Sequence, residues 1–174
     1  MANNNSAFGC KPVRMMGGAP YSGGQSRYRI ASGATTPIFQ GDLVTQLTAG
    51  VIGRHAASGT FPIVGVFNGV QYTDPTTGEQ VFKNHYPGSI AASDIIASVI
   101  DDPNVVFEIQ ADAAMPVADL FGNFDIVDGS PVGDTSSGIS NTELDVTTGA
   151  TTATLPLKAL DISQDPDNGD VSSA

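Results

Sequence analysis

Ile63-Val64-Gly65-Val66-Phe67-Asn68-Gly69-Val70-Gln71-Tyr72 is the stretch that decides the fold class. Val64, Val66, Val70 and Tyr72 are β-formers set at alternate or near-alternate places. Gly65 and Gly69 interrupt the run, and glycine inside a strand marks a bulge or the close approach of another backbone. The segment therefore reads as the principal strand of an all-β protein.

Other short β segments surround it. Arg27 to Ala31 alternates polar and apolar residues. Asp42 to Leu47 and Gly50 to His55 read as two strands of a hairpin joined through Thr48-Ala49-Gly50. Asp74-Pro75-Thr76-Thr77-Gly78 is a turn, and Val81-Phe82 begins a short strand ended by Tyr86-Pro87-Gly88. Ile95 to Ile100 and Val105 to Gln110 flank the turn Asp101-Asp102-Pro103-Asn104, and are expected to pair as a hairpin in the core. Alternation fails from Ala113 to Phe124. Pro116 suits the first turn of a helix and Gly122 its end, so one short helix is expected to Phe121. Ser130 to Asn141 reads as a loop and Glu143 to Val146 as a short strand. Thr147 to Thr154 reads as a link, and Leu155 to Ile162 as a strand buried on both sides. Many short strands without repeats predict a small antiparallel β-sandwich or barrel with one short helix and an extended N-terminal arm.

Charge is distributed unevenly. The chain of 174 residues has a net charge of −11. Residues 1–41 carry Lys11, Arg14, Arg27 and Arg29 and no acid, whereas residues 85–174 carry fifteen acids and one base, Lys158. Fifteen of the eighteen acids are Asp, which favours turns over helix interiors and so agrees with a loop-rich β protein. Residues 1–26 hold Pro12, Pro20 and the pairs Gly17-Gly18 and Gly23-Gly24, which oppose a regular helix. They are expected to form an extended arm, with 27–174 as a β-rich body. Phe8, Val13, Met15, Met16 and Tyr21 are spaced as apolar anchors for a partner, and the four bases add charge complementarity.

Several classes of function find no motif. An acidic body repels phosphates, and four scattered bases without interleaved aromatics make no nucleic-acid arm. The longest aliphatic run, Ile95 to Ile100, is far too short to span a membrane. The N-terminus shows no apolar signal-peptide core. The single Cys10 forms no intrachain disulfide and reads as a small apolar contact. His55 and His85 share no metal-ligand spacing with another His or Cys, and no Gly-x-Ser-x-Gly elbow occurs. The expectation is a protein that is not an enzyme and takes no cofactor or metal. Asp165, Asp167 and Asp170 could supply oxygens to Ca²⁺, but the spacing departs from an EF-hand loop, and an acidic turn is the simpler reading.

Three blocks together carry a resemblance: Phe8-Gly9-Cys10-Lys11-Pro12-Val13 with the later Tyr28-Arg29-Ile30; Gly65-Val66-Phe67-Asn68-Gly69-Val70-Gln71-Tyr72; and Asp101 through Gln110. A weaker block runs from Leu157-Lys158-Ala159-Leu160 to Pro166-Asp167-Asn168. The sequence resembles head decoration (cement, head-stabilising) proteins of tailed bacteriophages. The resemblance implies binding to the outer surface of the capsid, contact with the major capsid protein, and self-association, with a trimer favoured over a dimer. Arm residues Phe8, Lys11, Val13, Arg14, Met15, Tyr21, Arg27 and Arg29 would then contact a neighbouring subunit or the shell. Similar proteins commonly continue past the Pro-Asp-Asn turn into a last strand, whereas this sequence stops at Ser172-Ser173-Ala174. From another class, an Asp-rich β module could bind a receptor or carbohydrate on a virion or cell surface, although it has no Trp and few aromatics for a sugar platform.

Overall fold

A computed structural model describes residues 5–59 and 62–163. In chain order the strands are β1 (Lys11–Met15), β2 (Ser26–Arg29), β3 (Leu43–Leu47), β4 (Val51–Arg54), β5 (Ile63–Thr73) and β6 (Gln80–Lys83). They continue with β7 (Ile96–Ile100), β8 (Val105–Glu108), β9 (Asn123–Val127), β10 (Glu143–Ala150) and β11 (Leu157–Lys158). The protein is all-β, with antiparallel strand pairing throughout these sheets.

β5 organises the largest sheet, in the order β2-β7-β5-β3-β4. Its first half pairs with β3, its second half pairs with β6, and β7 runs along its other edge. A parallel bridge between Ile30 and Ile52 brings the β2 end of this sheet to the β4 end, so the sheet curls into a small barrel. Phe67, Val70, Tyr72, Val44, Ile52 and Val99 belong to the apolar cluster inside. The glycines of the deciding stretch act as the sequence implied. The register with β7 shifts between Phe67 and Gly69, and Gly69 takes φ +147°. At Gly65 the Ile100 carbonyl lies so close that a side chain would collide with it.

The outer face of the barrel is apolar as well. Leu43, Val66 and Ile100 form a second cluster with Cys10, Val105 and Ile126, joined by Met15, Tyr21, Phe107 and Leu157. Two small sheets supply this cover: the β1–β8 pair and the three-stranded β10-β9-β11. A barrel wall that is apolar on both faces needs such a second layer.

Four expectations change. Residues 5–26 are not an arm separate from the body, because β1 pairs with β8 from Lys11↔Glu108 to Met15↔Val105. The apolar residues read as anchors for a partner find the uncovered outer face of their own barrel. Second, Ile96–Ile100 and Val105–Glu108 do not pair with each other. Both edges of β7 are occupied, by β2 and β5, so the chain turns at Asp101–Asn104 and β8 joins β1 instead. Third, the helix expected from Pro116 is a single 3-10 turn, Val117–Asp119. Its residues are exposed and offer no apolar face to dock, while Phe121 and Gly122 exchange backbone hydrogen bonds with Ala159. Fourth, the strand read as buried on both sides at 155–162 shortens to β11, half-buried at Leu157 and exposed at Lys158 at the edge of its sheet. β10 also runs on to Ala150 through the Thr-rich stretch read as a link. The β3–β4 hairpin forms as expected, with Ala49 as well as Gly50 at positive φ in its turn.

Candidate interaction surface

The eight residues read as partner-binding divide into two groups. Met15 and Tyr21 pack against the outer apolar cluster, and the Tyr21 hydroxyl donates to the Gly24 carbonyl at 2.8 Å. Phe8 and Arg14 are half-buried. These side chains support the fold first. Lys11, Val13, Arg27 and Arg29 are exposed. Lys11 stands 4.0 Å from Glu108 across the β1–β8 pair, a distance and exposure at which an ion pair contributes little. Arg27 and Arg29 are exposed on β2 because the strand alternates, while the alternate residues Ser26 and Tyr28 turn to Asp101. The Tyr28 hydroxyl donates to Asp101 at 2.7 Å, and this bond is the main cause holding the Asp101 carboxyl below the usual range. Val13 in the middle of β1 (43% exposed) and Met16 just after it (53% exposed) are exposed apolar side chains. Beside them an apolar groove runs along the β1–β8 pair, lined by Phe8, Val13, Met16, Phe107, Ile109 and Met115.

A buried polar centre that the sequence reading missed locks the barrel to the later segments. Asp42 is 1% exposed. It accepts the Phe39 N–H at 2.8 Å, the Ser140 hydroxyl at 2.5 Å and the Thr142 hydroxyl at 3.1 Å. Its second oxygen lies 3.3 Å from Nε of Arg54, whose guanidinium also bonds Asp128. Burial pushes the Asp42 carboxyl up, and the hydrogen bonds and Arg54 pull it back. Next to Arg54, His55 is buried, and its Nε2 has no hydrogen-bond partner. Asp125 and Asp128 accept the backbone N–H groups of Ser58 and Ala57, so the 55–59 loop is fastened to β9 and the residue after it. The local signal is Arg54, the one Lys or Arg between residues 30 and 82, at the end of a strand that runs back toward the Asp42 end of its hairpin partner.

The chemistry of this centre is bracing. The Ser140 and Thr142 hydroxyls both donate hydrogen bonds to one oxygen of the carboxylate, and they join segments about a hundred residues apart in sequence. Cys10 is buried, and burial with the nearby Asp42 pushes its thiol up to about 12, which makes it an apolar contact rather than a nucleophile. His85 stacks on Phe39 with ring centroids 5.5 Å apart. Among the described residues no group of three or more His, Cys, Asp or Glu could hold a metal ion, and no helix is long and apolar enough to cross a membrane. Asp165, Asp167 and Asp170 lie outside the described residues.

Compared with protein-family models, curated proteins and solved structures, the chain matches none.

Proposed function

We propose that this chain is a non-enzymatic capsid decoration protein that binds the outer surface of a phage head and holds neighbouring major capsid proteins together. The observation that carries the reading is the resemblance at the Phe8–Val13, Gly65–Tyr72 and Asp101–Gln110 blocks. These blocks fall on the β1–β8 pair and on the strand that pair covers. The exposed bases Lys11, Arg27 and Arg29 and the apolar pair Val13 and Met16 are the groups offered to the shell, on a chain of net charge −11. The arm in this reading is a folded edge of the body rather than a free strap. A ligand that binds only the assembled shell stabilises it by linkage, and many copies bridging subunits add avidity.

Removing the N-terminal segment would strip cover from the barrel, so the test uses exposed side chains. Heads lacking this protein are mixed with wild-type chain and with the triple variant Lys11→Glu, Arg27→Glu, Arg29→Glu, and bound protein is measured by co-sedimentation. Wild type should saturate the heads and the triple variant should bind at least tenfold more weakly. No sedimentation of wild type with the heads, or equal binding of both proteins, refutes the reading.

A further inference from the structure

We propose that the open edge of the β5–β6 hairpin pairs with the same edge of a second copy, making a two-fold dimer. The inference is independent of the decoration reading. β6 hydrogen-bonds only to β5 among the described residues, so its other edge is unpaired. Phe82 on that strand is 68% exposed and, with Phe121 at 67%, one of the two most exposed large apolar side chains among the described residues. An unpaired edge bearing a large exposed aromatic is a template for another strand unless something blocks it.

The hydrogen-bond parity fixes which residues can pair. Asp74 donates to the Glu79 carbonyl at 2.8 Å, so Glu79 faces β5. By alternation Val81 and Lys83 also face β5, and the N–H and C=O of Gln80 and Phe82 point outward. An antiparallel two-fold pairing must place outward groups opposite outward groups. Registers centred on any single residue of β6 satisfy this, but only the one centred on Val81 sets both outward residues of the strand, Gln80 and Phe82, opposite each other; the nearest rival is centred on Phe82.

Charge and local contacts choose between them. Centred on Val81, the register sets each Glu79 opposite the other copy's Lys83, two opposite-charge pairs per dimer, and sets Gln80 opposite Phe82. The two Phe82 rings then meet on the diagonal, within reach for aromatic side chains. A lone Lys on an edge strand deters pairing, but here each copy supplies the acid that neutralises it. Centred on Phe82, the register would set Asn84 opposite Gln80, and Asn84 is already held by the Ser137 carbonyl. The contact is isologous and closes on itself, so it gives dimers and not the trimer that the resemblance implied. A ladder this short makes a weak, concentration-dependent dimer.

Sedimentation equilibrium of the full chain tests it. Wild type should approach twice the 17.8 kDa chain mass as concentration rises. Lys83→Glu places like charges opposite each other twice and should weaken the dimer about tenfold or more. The double variant Glu79→Lys, Lys83→Glu restores opposite charges and should recover wild-type association, a rescue that damage to the monomer fold would not give. Phe82→Lys should leave a monomer. A wild type that stays monomeric at every concentration, a trimer untouched by these changes, or a charge swap that fails to rescue overturns the proposal.

Discussion

Replacing Asp42 by Ala tests the polar brace directly. The side chain is buried and receives a backbone N–H and two hydroxyls, and Arg54 Nε stands 3.3 Å away as a charge contact without a hydrogen bond. Removing it leaves those donors in a space closed to water. Arg54, 6% exposed at its side chain, keeps Asp128 as its remaining ion-pair partner. Breaking a buried ion pair on one side costs about 3–5 kcal/mol. Orphaned donors cost about 1–3 kcal/mol each before water or relaxation relieves them. Since burial itself opposes the Asp42 charge, the lower part of this range, about 3–4 kcal/mol, is expected. Urea unfolding followed by far-UV circular dichroism measures it. The informative comparison is a double-mutant cycle with Arg54→Met. Removing both charges avoids a half-paired guanidinium, so the double variant should be more stable than the sum of the single losses predicts, by at least about 1 kcal/mol. An Asp42→Ala cost below about 1 kcal/mol, or strict additivity in the cycle, would show that the brace is not coupled as described.

Three further predictions concern the layers around that centre. Phe67→Ala, at a side chain with 0% exposure in the barrel interior, should cost about 3–5 kcal/mol in the same assay; a cost under about 1 kcal/mol would mean the barrel interior is not packed around this ring. Deleting residues 2–16 should lower the melting temperature and increase binding of a hydrophobic dye, because Leu43, Val66 and Ile100 lose Cys10 and Met15 as cover; an unchanged melt would show that β1 is not part of the fold. His55 provides a pH prediction. Burial holds its pKa below the ordinary 6.5, so the unfolded chain binds the proton more readily. Its stabilising contribution is therefore complete above pH 6.5 and declines as pH falls from there toward the lower folded-state value. His55→Gln should flatten stability against pH in that window, and an identical slope in the variant would count against the assignment.

The sequence by itself determined the class of structure. The alternating valines of Ile63–Tyr72 found β5, and the glycines inside it marked a bulge and a close backbone approach because only local sterics are involved. Hairpins closed by a turn of their own, such as β3–β4 and β5–β6, were legible for the same reason. Of the candidate surface, Lys11, Arg27 and Arg29 could be read as exposed bases from charge pattern and strand alternation. The tertiary structure alone decided which strands share edges and which apolar residues cover which face. β7 and β8 look like a hairpin, but β7 has two edges and both were taken by strands distant in sequence. Met15 and Tyr21 look like anchors for a stranger, but hydrophobic burial carries no address, and the nearest uncovered apolar wall belonged to the chain itself. The Asp42–Arg54–Asp128 brace was legible only where the β3–β4 hairpin brings Arg54 toward Asp42; Asp128, Ser140 and Thr142 lie up to a hundred positions away, and no local pattern records a contact that only folding brings about.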